Sequence, residues 1–318
     1  MRLRPVAAVA ALVLTLSACA DGRAALTAPP GVPTAKTCGT VTIAVNPWAG
    51  YEANAAVVAY LLRTRLGCQV VRKDLTEADS WAGIGNGTVD VILENWGHDD
   101  LKKKYVDDTR AAVELGLTGN KGVIGWYVPP WLAAAHPDIT DYRNLGKYAN
   151  LFRTGKSGGK GQFLAGDPSF VTNDANLIKN LNLDFSVVYA GSEDALIDAF
   201  RTAETSRTPL IGYFYEPQWL LSEIDLVHVA LPLYRPGCDA DPDRTACDYQ
   251  PYDLDKVGRK AFVDSGSPAA TLIKNFAWTN TDQNAVARDL TDRKLTPDEA
   301  AKRWLDTHRT VWEKWLPA

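Results

Sequence analysis

The chain has 318 residues, and 34 Lys and Arg against 38 Asp and Glu leave a net charge of −4. That balance excludes the basic footprint of a nucleic-acid binder, and 46% hydrophobic with 23% charged residues describes an ordinary globular protein, long enough for two domains. Ten tryptophans against one methionine raise the question of where the indoles sit.

In chain order, Arg2 and Arg4 precede an apolar run over 6–16 that is too short to span a bilayer. Leu16-Ser17-Ala18-Cys19 follows and resembles a bacterial lipobox, with an ordinary cleaved signal peptide as the alternative. Residues 1–18 are thus expected to be a lipoprotein signal peptide, Cys19 the lipidated residue, and 19–37, rich in Ala, Pro, Gly and Thr, a flexible tether. The expected address is the outer face of the bacterial cytoplasmic membrane.

Residues 40–46 read as a strand, 48–51 as a turn, 52–66 as a helix stopped by Gly67, and 68–72 as a second strand. A short helix over 76–85 and an apolar strand over 88–93 complete a β-α-β-α-β unit, which defaults to a parallel, doubly wound sheet. Residues 97–121 read as a polar surface crossing and 122–129 as the next strand. A glycine cluster lies within 151–162; a helix over 172–181, a strand over 185–189, a helix over 192–204 capped by Ser192 and a strand over 208–215 make a second α/β unit. Beyond Cys247, helices are expected over 254–263 and 269–276, then a closing helix with a capping box at Thr296-Pro297-Asp298-Glu299. Trp304, Trp312 and Trp315 on that last stretch suit core packing. The expected division is 38–122 with 233–318 as one lobe and 123–232 as the other.

Four cysteines remain beside Cys19. Cys38 and Cys68 open neighbouring parallel strands, about 4.8 Å apart at one sheet edge, within disulfide reach. Cys238 and Cys247 bracket a polar loop, so the pairs are Cys38–Cys68 and Cys238–Cys247. With no Cys-x-x-Cys and scattered histidines, no metal is expected.

Trp48, Trp96 and Tyr215 fall at the carboxyl ends of strands, where open parallel sheets bind ligands. Aromatic faces hold a cation for about 2 kcal/mol each when water is excluded, and a methylated ammonium, lacking donors, suits them best. Asn46-Pro-Trp-Ala-Gly-Tyr, Val91-Ile-Leu-Glu-Asn-Trp, Trp126-Tyr-Val-Pro-Pro, Gly158-Gly-Lys-Gly-Gln-Phe, Ala190-Gly-Ser-Glu-Asp-Ala, Tyr215-Glu-Pro-Gln-Trp and the Cys238/Cys247 loop occur in this order. From residue 40 to the C-terminus the set resembles the glycine betaine/choline-type substrate-binding proteins of ABC importers. The resemblance implies a two-lobed, periplasmic-binding-protein-like (type II) α/β fold, each lobe a mostly parallel sheet flanked by helices, with a hinge between them. It implies a monomer that hands a small quaternary ammonium ligand to ABC permease subunits, with no cofactor and no catalysis.

Carried over residue by residue, the resemblance makes Trp48, Trp96 and Tyr215 cage walls, Tyr215 standing where the family often has tryptophan. On the fourth strand Trp126 and Tyr127 alternate; counting back from Val128-Pro129 favours Trp126. Tyr51 belongs to the first aromatic stretch, and Asn173 is a polar contact. Gly50 stands where choline-binding members carry an acid; a glycine leading into a helix offers free N–H groups to a carboxylate. That favours glycine betaine or a related zwitterion over choline-like alcohols, although Glu52 and Glu94 weigh the other way.

Two other classes compete. Gly155-Lys156-Ser157-Gly158-Gly159 matches the Gly-x-Ser-x-Gly of a hydrolase elbow, but no Asp-then-His pair follows and the flank starts a helix poorly; a P-loop would need glycine at Asn150. A lipid-anchored surface or adhesion protein would share the lipobox but would not require aromatics at strand ends.

Overall fold

The computed structural model of the protein describes residues 38–318. The readings of 1–37, Cys19 included, lie outside the described residues. The first unit runs β1 (Thr40–Val45), α1 (Ala49–Leu66), β2 (Gln69–Asp74), α2 (Glu77–Asn86) and β3 (Val91–Asn95). β2 and β3 both pair parallel with β1. The expected turn at 48–51 is instead the start of α1, which follows Trp48 and stops at Gly67, where φ is 66°. Alanine-rich α1 is buried on nearly all sides, between the sheet and the C-terminal helices.

α3 (Asp99–Lys102) leads towards β4 (Ala112–Val128), which begins well inside the stretch expected to be a polar crossing. Gly116 and Gly119 have φ of 85° and 89°, and register shifts fall between Glu114 and Leu117 and between Leu117 and Lys121. These irregularities break the alternation that would betray a strand. Gly122 pairs with Tyr252, whereas Val123 pairs with Glu216, so β4 changes partner between consecutive residues.

The chain continues through α4 (Pro130–Ala135), α5 (Leu145–Tyr148), β5 (Gly161–Ala165), α6 (Asp174–Asn180), β6 (Phe185–Tyr189), α7 (Glu193–Ser206), β7 (Gly212–Glu216) and β8 (Val227–Val229). β5 pairs parallel with β6 and β7, and β4 lies antiparallel to β7 and β8. The Ser192 hydroxyl caps α7 by accepting from the Ala195 N–H at 3.1 Å. Ser157 is not on an elbow. It is buried in a turn, its hydroxyl donating to Lys160 O at 2.6 Å.

The expected helix over 254–263 is mostly a strand, β9 (Tyr252–Arg259), followed by the short α8 (Lys260–Asp264). β9 lies antiparallel between β3 and β4. Its polar residues are buried with distant partners, which blurs the period of two. Asp255 accepts from Asn95 and Lys102, and Lys256 donates to the carbonyls of Lys274 and Phe276. α9 (Pro268–Asn275), α10 (Asn280–Thr291), α11 (Pro297–Thr307) and α12 (Arg309–Trp312) close the chain. α10 was not anticipated; Thr279 and Asp282 form its capping box, as Thr296 and Glu299 do for α11. Trp304, Trp312 and Trp315 are all buried, as core packing requires.

The resulting mixed sheet has the order β2-β1-β3-β9-β4-β7-β5-β6, with β8 beside β4. Both disulfides pair as the cysteine positions suggest, Cys38–Cys68 and Cys238–Cys247.

Candidate functional site

β1 and β3 end side by side, so the residues after them, Trp48 and Trp96, stand at one sheet edge. A cavity of about 700 Å³ opens there, within the size range of small-molecule sites. Trp48 and Trp96 form one wall. Tyr213 and Tyr215, two apart on β7 and so on one face, form another. Phe170 and Asn173 come from the segment before α6, and Tyr234, Tyr249 and Tyr252 from the stretch around the Cys238–Cys247 loop and β9. The rings meet across the cavity: Trp96 lies edge-on to Tyr215 at 5.8 Å and to Tyr252 at 5.5 Å, and Trp48 to Phe170 at 5.8 Å. Gly122 gives Trp96 its place, since a Cβ there would lie 2.6 Å from the indole.

Buried carboxylates fix these rings from behind. Glu94, the penultimate residue of β3, accepts from Trp48 Nε1 at 2.7 Å and Trp96 Nε1 at 2.9 Å. Its other oxygen accepts from Gln283 Nε2 at 2.9 Å and from Asn54. Asp174 accepts from the Tyr249 hydroxyl at 2.8 Å and Trp126 Nε1 at 2.7 Å. Glu193 accepts from the Tyr215 hydroxyl and from Gln218 Nε2 at 2.9 Å. Burial pushes Glu94 up to about 7 and Asp174 up to about 6, against hydrogen bonds that pull them down; burial raises Glu193 as well. At the rim, His98 contacts Glu77 at 2.8 Å. Burial lowers the His98 pKa, but the Glu77 carboxylate outweighs that and holds it above the usual histidine value.

Of the site residues expected from sequence, Trp48, Trp96, Tyr215 and Asn173 come together at the cavity. Trp126 and Tyr127 do not line it; the fourth strand contributes Ile124 instead. Trp126 lies one layer back, against Phe163 at 4.6 Å and on Asp174, while Tyr127 packs on the opposite face against Phe214 and His228. Tyr51 is core, its hydroxyl accepting from the Leu93 N–H at 3.0 Å. Gly50 presents no open amide face to the cavity; it is buried, and a Cβ would lie 2.2 Å from Gln283 Nε2. Glycine at 50 lets Gln283 reach Glu94. Sequence reasoning missed Phe170, Tyr213, Tyr249 and Tyr252. Tyr213 alone carried a local signal, its spacing of two from Tyr215 on a strand.

A ring-walled cavity beyond the carboxyl ends of strands, between two α/β halves that share β4, defines a two-lobed solute-binding protein. The chain belongs to the OpuAC family, the substrate binding domain of ABC-type glycine betaine transport systems, whose profile matches residues 39–307. It is 27% identical over 198 residues to the trimethylamine N-oxide-binding protein of Pelagibacter ubique (strain HTCC1062), covering 60% of this chain and 62% of that one. It is 24% identical over 189 residues to the glycine betaine/carnitine transport binding protein GbuC of Listeria monocytogenes serotype 1/2a (strain 10403S), covering 58% of this chain and 56% of that one. These matches therefore span less than two thirds of either relative's length. An ABC-transporter choline binding protein solved with choline has the same fold, with a TM-score of 0.71 at 18% identity over 87% of this chain and 91% of that one.

Proposed function

We propose that this protein captures a quaternary ammonium compound between its lobes and delivers it to an ABC permease. One observation carries the reading: aromatic rings from separate segments face one cavity, and buried carboxylates hold Trp48, Trp96, Tyr215 and Tyr249 from behind. A cation between such rings gains about 2 kcal/mol per face when desolvated. With ordering costs subtracted, micromolar binding, about −8 kcal/mol, is the expected scale. Trp48, Trp96 and Tyr215 are the cage walls in this reading, Tyr213 joins them, and Asn173 supplies a polar contact.

The lobes are 38–122 with 233–318, and 123–232, hinged near the two crossings of the chain, one of which falls where β4 changes partner between Gly122 and Val123. Ligand contacts made to both lobes at once shift the population towards a closed form, which the permease receives. Cys19 anchors this monomer to the outer face of the cytoplasmic membrane. No chemistry is done on the ligand. Titration calorimetry with glycine betaine, carnitine, choline and trimethylamine N-oxide tests the reading. Micromolar heat with at least one supports it; none with any of the four, alongside turnover of p-nitrophenyl esters, would replace it with a hydrolase.

A further inference from the structure

α1 begins after Trp48, whose side chain makes no cap, so the first helical N–H needs an acceptor from elsewhere. That acceptor comes from the other half of the molecule. The Ala49 N–H donates to Glu193 Oε2 at 2.7 Å. The second Glu193 oxygen accepts from Tyr215 and Gln218, and among the described residues no cationic side chain bonds either oxygen. Glu193 is 5% exposed and stands behind the wall rather than in it. The helix terminus that would welcome a ligand carboxylate thus already holds one of the protein's own.

The rest of the site has the same sign. Glu94 lies behind Trp48 and Trp96, and Asp174 behind Tyr249. Glu77, Asp99, Asp100 and Asp239 are at the lining, while among the described residues no lysine or arginine lines the cavity and His98 is held by Glu77. An N–H or O–H given to a carboxylate leaves its ring richer in electrons and its face more attractive to a cation. A ligand carboxylate finds like charge here, and the lining group that can carry positive charge, His98, is already paired with Glu77.

We propose that Glu193 is a specificity residue: as the resident carboxylate of the α1 N-terminus, and with Glu94 and Asp174 behind the rings, it makes the site prefer a quaternary ammonium cation without a carboxylate over a zwitterion. This rests on the cavity being a quaternary ammonium site, and it reverses the preference that Gly50 suggests from sequence. Burial pushes these carboxyls towards protonation, and a bound cation draws them back to the charged form.

Titration calorimetry of the purified full chain with choline and with glycine betaine, at a pH of about 8, tests the proposal. Choline is expected to bind at least about tenfold more tightly. Glu193→Gln keeps an acceptor for the Ala49 N–H but removes the charge, and is expected to narrow that ratio by about threefold or more, a change that loosened packing would not produce. Tyr215→Phe, which keeps the ring but removes the hydroxyl on Glu193, is expected to weaken choline more than betaine and decides the matter if Glu193→Gln does not fold. Betaine binding as tightly as choline in the unaltered protein overturns the proposal, as does a ratio unchanged in the variant that folds. Failure of both ligands to bind instead overturns the reading of the cavity itself.

Discussion

Trp48 and Trp96 donate their indole N–H groups to one and the same oxygen of Glu94, at 2.7 and 2.9 Å. Two rings that leave adjacent strands are thereby held against a single buried anion. Their faces stay available to the cavity because their polar edges are satisfied behind it. The arrangement makes Glu94 a positioning residue as well as a source of negative potential.

Glu94→Gln separates those two roles. Asn54 Oδ1 and Gln283 Oε1 are buried with no partner among the described residues, so a carboxamide at 94 has acceptors for its N–H groups and can still accept from both indoles. We expect cation affinity to fall by about tenfold with the charge gone, and Tm at pH 8 to stay level or rise because a buried charge has been removed. A large loss of Tm with affinity preserved would reverse this assignment.

Trp96→Ala and Trp126→Ala distinguish wall from core. Trp96 is partly exposed at the cavity, so its loss is expected to weaken ligand binding by at least about tenfold with little change in unfolding. Trp126 is 1% exposed between Phe163 and Asp174, so its truncation is expected to cost about 3–5 kcal/mol of stability. Equal effects of the two on affinity at unchanged stability would place Trp126 in the site.

Acidity acts on stability and affinity with opposite signs. The Glu94 carboxyl rises from 4.5 to about 7 on folding, chiefly through burial, so the folded state binds more protons in that window. Its contribution to stability is complete below 4.5 and is lost as pH rises through about 7, a span worth about 3 kcal/mol. Asp174, pushed up to about 6, acts in the same sense at slightly lower pH. Cation affinity needs the ionised forms and rises through the same window. Among the described residues no lysine or arginine hydrogen-bonds Glu94; its partners there are Trp48, Trp96, Asn54 and Gln283. Ligand-free melting curves and choline titrations over this range should diverge. Parallel trends would show that Glu94 titrates elsewhere.

The two disulfides should fail differently. Cys238–Cys247 closes a short loop that brings Asp239, Ala240 and Pro242 to the cavity. Replacing both cysteines with serine is expected to weaken ligand binding severalfold and to cost about 2–3 kcal/mol of stability. Cys38–Cys68 joins the entrances of β1 and β2, at the end of the sheet away from the cavity. Its loss is expected to cost about 3–4 kcal/mol and leave affinity unchanged. Calorimetry on the two double variants checks the contrast.

The first α/β unit was readable because its signals are local: apolar strands and a glycine stop at Gly67. Ser192 and the Thr296 box worked for the same reason. β9 was not readable, since its buried Asp255 and Lys256 are satisfied by residues far along the chain. The early part of β4 was hidden by its glycine irregularities. In the site, strand-end aromatics were legible, because position in a parallel sheet implies a ligand edge. Whether Trp126 reaches that edge was not: it shares the strand face of Ile124, which lines the cavity, but lies a layer further back on Phe163 and Asp174, and alternation along a strand does not fix that depth. Asp174 and Glu193 were invisible as site residues, since each looks in sequence like an acid opening a helix and gains its role only from partners on other elements.

β4 belongs to both halves of the sheet, bonded to β9 along its first part and to β7 and β8 along its second. β4 is thus an edge strand of the first half, on β9, and an interior strand of the second, between β7 and β8. On the proposed lobe division the chain crosses between the halves twice, once within β4 between Gly122 and Val123 and once between Pro232 and Leu233. On that division, opening of the aromatic walls would be shared between a hydrogen-bonded strand and an irregular segment, two crossings of unequal stiffness.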